Sequence, residues 1–158
     1  MAAEISTDPI HSKAIPDLIN KLLQERQEML VLFNRLAATR VASPRNGQKP
    51  ALKKFCELLV DYIALGHFEV YQCIEDHAGD SKRCQQVKRL AQEFYPMIAE
   101  TTEAAIAFSD HYTSLKQVSD ALYADLSKLG EHLATRIELE DRLINAVEQQ
   151  PKLSTLLQ

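Results

Sequence analysis

His67 and Glu69, in the string Gly66-His67-Phe68-Glu69, and the Glu-Leu-Glu-Asp run at 138–141 have side chains of the kinds that ligate metal ions in helical bundles. Their spacing argues against that chemistry. Two positions apart, His67 and Glu69 diverge around a helix, and no Glu-x-x-His pair occurs, whereas di-iron bundles use two. A His held by a carboxylate or carbonyl is the simpler reading of His67, and no metal or other cofactor is expected. Cys56, Cys73 and Cys84 form no CxxC pattern, so three thiols in or near a core, in a reducing cytosol, explain them. No GxSxG, phosphate-binding loop or dinucleotide fingerprint occurs, and the chain is not expected to be an enzyme.

The elements that position these residues are helical. Leu, Ala, Glu, Gln and Lys dominate the 158 residues and only four glycines interrupt them. The first helix is predicted from Pro16 and Asp17 to about Ala38, and a breaker-rich connection follows over 39–50. The second runs from about Ala51 to Ala78 and stops at Gly79; the third runs from about Lys82 to Ser109, with Pro96 removing one backbone hydrogen bond inside it. The fourth runs from about Leu115 to Gln149, before Pro151. Short connections favour antiparallel neighbours. The expected architecture is therefore all-α: an up-down antiparallel four-helix bundle with a kinked or split third helix. It occupies residues 16–150, with an N-terminal extension at 1–15 that is expected to be flexible and a C-terminal tail at 151–158.

At about 100° per residue, four apolar stripes define the core. They are Ile15, Leu18, Leu22, Met29, Phe33 and Leu36; Leu52, Phe55, Leu59, Ile63, Gly66, Val70 and Cys73; Leu90, Phe94, Met97, Thr101, Ala105 and Phe108; and Leu122, Leu126, Leu129, Leu133, Ile137, Ile144 and Val147. Arg26 and Glu140 interrupt the first and fourth. An unpaired buried charge is costly, so the two are expected to form a buried pair that fixes helix register.

The second helix has a further side. Glu57, Asp61, Leu65, Phe68 and Gln72 project roughly opposite its stripe, placing a Leu and a Phe beside carboxylates on the face turned to solvent. Scattered exposure is one explanation. A docking patch for a partner with an apolar pocket ringed by basic residues is the other. The net charge of −4 argues against direct binding to nucleic acid, which needs a clustered basic face, and no run of about 18 apolar residues suggests a membrane segment. A cytoplasmic protein is expected.

Two strings carry a resemblance. "FCELLVDYIALGHFEVYQ" (55–72) and "LGEHLATRIELEDRLI" (129–144) closely resemble the signature segments of the regulator of sigma D (Rsd/AlgQ) family of anti-sigma factors; "LLQERQEMLVLFNRL" (22–36) and "EFYPMIAETT" (93–102) fit the same pattern. The likeness spans about Pro16 to Val147. It implies a helical bundle that binds domain 4 of the primary sigma factor of RNA polymerase, as a monomer in a 1:1 complex, and sequesters it from core polymerase. It also implies that Asp61 and Phe68 look toward sigma, with Leu65, Glu57 and Gln72 around them. The alternative from the residues is a hemerythrin-like or di-iron-like metal-binding bundle.

Overall fold

The computed structural model describes residues 2–38, 49–66, 71, 82–114 and 120–157, with side chains placed among those from 15 to 148. Four helices pack into an all-α bundle: α1 (Ala2–Ala38), α2 (Lys49–Ala64), α3 (Lys82–Ser114) and α4 (Leu122–Leu157). The first begins well before Pro16, and the last starts seven residues after Leu115 and runs through Pro151. Nor does Pro96 split α3, which is continuous through it. The φ angle that proline fixes is itself helical, so an interior proline surrounded by helix formers removes one hydrogen bond without ending the helix. At the start of α4 the Asp125 N–H donates to the Ala121 carbonyl (2.9 Å), and the Asp125 carboxylate stands in the first turn, where the helix dipole favours it. Tyr112, near the end of α3, donates its hydroxyl to that carboxylate and ties the two helix ends together.

The core-facing positions alternate by three and four. In α1 they are Ile15, Ile19, Leu22, Arg26, Met29, Phe33 and Leu36; in α2 Leu52, Phe55, Leu59 and Tyr62, with Gly66 next in step just past its end. In α3 they are Val87, Ala91, Phe94, Ile98, Thr101, Ala105, Phe108 and Tyr112, and in α4 Leu122, Leu126, Leu129, Leu133, Arg136, Glu140 and Leu143. That repeat of 3.5 residues keeps each stripe facing its neighbours in a supercoiled bundle, whereas a 3.6-residue stripe drifts by about 20° per heptad. Three positions differ from the expected stripes. Met97 is 41% exposed, with Ile98 buried in its place; Ala91 is buried where Leu90 is only half-buried; and Arg136 is buried where Ile137 is half-buried.

Aromatic rings fill the middle. Phe55 of α2 lies 5.9 Å from both Phe33 of α1 and Phe108 of α3, and Phe108 lies 4.6 Å from Tyr112. Gly130 lets α4 approach closely, because a Cβ there would stand 3.0 Å from the Phe33 ring. Contacts between neighbours run in opposite senses along the chain. Phe55 meets Phe108 and Tyr71 meets Tyr95 across α2 and α3, while Tyr112 meets Asp125 and Phe94 meets Arg142 across α3 and α4. These pairs of helices are antiparallel.

Candidate functional site

All four helices send polar side chains into one buried layer. Arg26 of α1 donates from Nε and Nη2 to Glu140 Oε1 of α4, at 3.1 and 2.9 Å, and the Tyr62 hydroxyl donates to the same oxygen at 2.7 Å. Tyr71 donates to the other oxygen, Oε2, so both are used. The structure thus brings Arg26 and Glu140 together, but within a larger network. Arg136, one turn before Glu140 and fully buried, donates from Nη1 to Thr101 Oγ1 (3.2 Å) and Thr102 Oγ1 (2.8 Å), and from Nη2 to the Ile63 carbonyl (3.5 Å). Both threonine hydroxyls donate to the Ile98 carbonyl, which leaves their lone pairs free for Arg136. Its guanidinium lies 5.5 Å from the ring centres of Tyr62 and Tyr71, and its Nε faces Glu140 Oε2 across 4.0 Å without a hydrogen bond. Arg26 Nη2 also reaches the half-exposed Asp141 at 2.7 Å. Two cations therefore face two carboxylates.

This layer holds its protons tightly. Burial opposes the charge of Arg26, but the facing Glu140 and the hydrogen bond from Arg26 to Asp141 outweigh it and hold its pKa above the usual arginine value. Burial and then the Glu140 charge push the hydroxyls of Tyr62 and Tyr71 well above the ordinary tyrosine value of 10, and burial pushes the Cys56 thiol up to about 11. Groups that keep a proton longer when folded than when unfolded stabilise the fold fully below their unfolded pKa and lose that contribution as pH rises toward the folded one. Stability should accordingly be level near neutrality and fall above about pH 9, where unfolded Cys56 begins to ionise, and further above 10 as the unfolded tyrosines do. Urea titrations between neutral and alkaline pH check this. A Tyr62→Phe, Tyr71→Phe variant should lose stability less steeply above pH 10; an equally steep fall would show that the tyrosines do not drive it.

On the opposite side of α2, Glu57 and Asp61 are exposed. Glu57 makes only a loose contact, 4.0 Å, with Lys54, and Asp61 has no ion-pair partner among the described residues. Leu65 is not turned outward as expected: it is 5% exposed, and the apolar residue beside Glu57 and Asp61 is instead Val60, 41% exposed. The backbone supplies a reason. The helix widens to a π-helical turn at Leu65 and Gly66, with Tyr71 again in π geometry, so the 100° step no longer holds there. Phe68 and Gln72, like His67, Glu69, Val70 and Cys73, lie outside the described residues. Gly66 makes room for the widened turn, since a Cβ there would stand 3.1 Å from Arg136 Nη2 and 3.3 Å from the Tyr71 hydroxyl. Sequence reasoning missed Arg136, Tyr62 and Tyr71. The first two fall on the 3.5-residue repeat, which would have found them, whereas Tyr71 becomes a core residue beyond the widened turn, which no local periodicity signals.

Other chemistry finds little support. No three His, Cys, Asp or Glu side chains stand together in a metal-binding arrangement among the described residues. An open cavity of about 260 Å³ between α3 and α4 is walled by Phe108, Leu129, His111, His132 and Lys128, with Asp125 already engaged by Tyr112. Among the described residues no helix is long and apolar enough to cross a membrane.

Comparison with known proteins points one way. Residues 1–148 match the family model described as "Regulator of RNA polymerase sigma(70) subunit, Rsd/AlgQ". The chain is similar to the regulator of sigma D of Yersinia enterocolitica, with 32% identity over 136 residues that cover 81% of this chain and 78% of that protein. It is also similar to the regulator of sigma D of Sodalis glossinidius, 33% identical over 132 residues that cover 81% of this chain and 86% of that one. No solved structure gives a significant match.

Proposed function

The chain belongs to the family of regulators of the RNA polymerase sigma(70) subunit, and from that premise we propose that it is an anti-sigma factor that binds domain 4 of the primary sigma factor and keeps it from core polymerase. The observation that supports the reading best is the outer face of α2, where the exposed Asp61 carboxylate has no ion-pair partner among the described residues and stands beside Glu57 and Val60. A sigma domain that docks on promoter DNA is basic because it contacts phosphates. Carboxylates beside an apolar centre compete for the same Arg and Lys groups. The complex is 1:1 and forms in the cytoplasm, where RNA polymerase works. Asp61 supplies the charged contact, and Phe68 is the aromatic anchor, with Glu57 and Gln72 at its margin. Buried Leu65 supports this face from behind.

Isothermal titration of the full chain with isolated domain 4 tests the reading, and the expected result is saturable 1:1 binding that core polymerase reverses. No binding, or purified protein carrying stoichiometric iron, manganese or zinc, would favour the metal-binding alternative. Within the complex, Phe68→Ala should weaken affinity by about 2 kcal/mol, the scale of an interface hot spot. Asp61→Ala should cost about 2 kcal/mol if its partner Arg is desolvated, and should flatten the dependence of association rate on salt. A fall in affinity with unchanged salt dependence would mean that Asp61 acts by shape and not by charge.

A further inference from the structure

Three large hydrophobic side chains stand exposed among the described residues: Val60, Met97 and Ile106. Single exposed apolar residues need no explanation. Two of these, however, stand at one place. The Phe55–Phe108 contact and the Tyr95–Tyr71 hydrogen bond fix the register of α2 against α3, and the buried Cys56 and Ser109 each follow one of those Phe residues. Counting from each contact along antiparallel helices sets Val60 level with residues 103–106 of α3. Val60 follows the buried Cys56 by four and Ile106 precedes the buried Ser109 by three, so both stand at the outer lip of the seam between the two helices. Val60 is 41% and Ile106 44% exposed there.

The charges around this lip have one dominant sign. Glu57 precedes Val60 by three residues and Asp61 follows it, while Glu103 precedes Ile106 by three and Asp110 follows it by four, all four exposed. Two cations stand near this flank of α2: Lys54, 4.0 Å from Glu57, and Lys53, two turns before Val60. We infer that the outer lip of the α2–α3 seam is an interaction surface, with Val60 and Ile106 at its apolar centre and Glu57, Asp61, Glu103 and Asp110 at its edge, and that it takes a basic helical partner which seats an apolar side chain between them. This rests on the proposed function and extends it: α3 supplies half of the surface that engages sigma domain 4. A second copy of the chain fits poorly, because a two-fold contact would set this acidic edge against itself. Nucleic acid and anionic membranes are repelled for the same reason.

The test titrates the full chain and its variants with isolated domain 4. Both residues are exposed, so Ile106→Ala and Val60→Ala should leave helicity and melting temperature unchanged. Together they should weaken binding about tenfold or more, the loss of one modest hot spot. Glu103→Lys should lower the association rate several-fold at low salt and little at high salt. Met97→Ala is the control: Met97 is 41% exposed but stands seven residues before Ala104, on the flank of α3 that faces α4, and its affinity should match the native one. If the native chain binds domain 4 and the Val60 and Ile106 variants bind equally well, this inference fails and the proposed function stands. If the native chain does not bind domain 4, both fall. A concentration-dependent dimer in sedimentation, lost in Ile106→Ala, would assign the surface to a second copy and overturn the inference.

Discussion

Replacing Glu140 by alanine should destabilise the protein by about 3–5 kcal/mol, the cost of leaving buried charge without its counter-ion. The effect is large because Glu140, 0% exposed, accepts from Arg26, Tyr62 and Tyr71 and is the carboxylate nearest to Arg136. Its removal leaves Arg136 without a counter-ion and Arg26 with only the half-exposed Asp141, and it strands two buried hydroxyls at once. A double change, Arg26→Leu with Glu140→Leu, treats the two as an isolated pair and should keep much of the loss, since Arg136 remains fully buried. Adding Arg136→Met removes the last stranded charge and should recover most of it, as replacing a whole buried ionic group by packed apolar residues does. Urea unfolding of the single, double and triple variants measures the series. Recovery in the double variant equal to that in the triple would show that Arg136 does not depend on Glu140. The Arg26–Asp141 contact, with Asp141 half-exposed, should contribute less than about 1 kcal/mol.

How far the sequence reveals this fold turns on the period. Composition alone favours helix nearly throughout, and the steps from Leu122 to Leu133 fit 3.6 and 3.5 residues per turn equally well. The two periods differ by only about 0.1 residue per turn, so adjacent positions compete within a stripe, Met97 against Ile98 and Ile137 against Arg136, and the readings agree again at Thr101, Ala105 and Phe108. Hydrophobicity pulled the choice the wrong way at 136: an apolar Ile beside an Arg attracts the stripe, although strict alternation by four and three from Leu122 lands on Arg136 and then on Glu140. Arg26 was legible because its neighbours Glu25 and Gln27 offer no apolar substitute, and Glu140 because steps of three from Ile137 and four to Ile144 land on it, although its neighbour Leu139 is buried too.

The outer face of α2 was legible up to Ala64, and Leu65 departs from it. Glu57 and Asp61 are on the regular α-helix, where angle follows residue number, and both are exposed. Leu65 stands at the first residue of the widened turn, where that rule lapses, and it is buried. The widening depends on partners distant in sequence. Arg136 satisfies the Ile63 carbonyl and Glu140 takes the Tyr71 hydroxyl, both across the bundle from α4. Gly66 is the single local trace, a residue without a Cβ where guanidinium and phenol crowd the helix. A lone glycine in a helix has many readings, so it signals a close approach without naming what approaches.

Phe55→Ala should lower stability by about 3–5 kcal/mol while leaving the affinity of the folded protein for its partner nearly unchanged. Phe55 is 0% exposed and its ring meets those of Phe33 and Phe108, so the cavity left behind is walled by three helices that cannot all move inward. Phe55→Leu, which keeps more of the volume, should cost markedly less. The same helix carries Asp61 six residues later on its exposed face, where truncation should have the reverse profile: little change in stability and a clear loss of binding. Urea melts of both variants, with titrations against sigma domain 4 at a temperature where each is folded, separate the two effects. If Phe55→Ala weakened binding as much as Asp61→Ala after correction for the folded fraction, the inner and outer faces of α2 would be coupled. The core would then be setting the geometry of the partner surface, and not only supporting it.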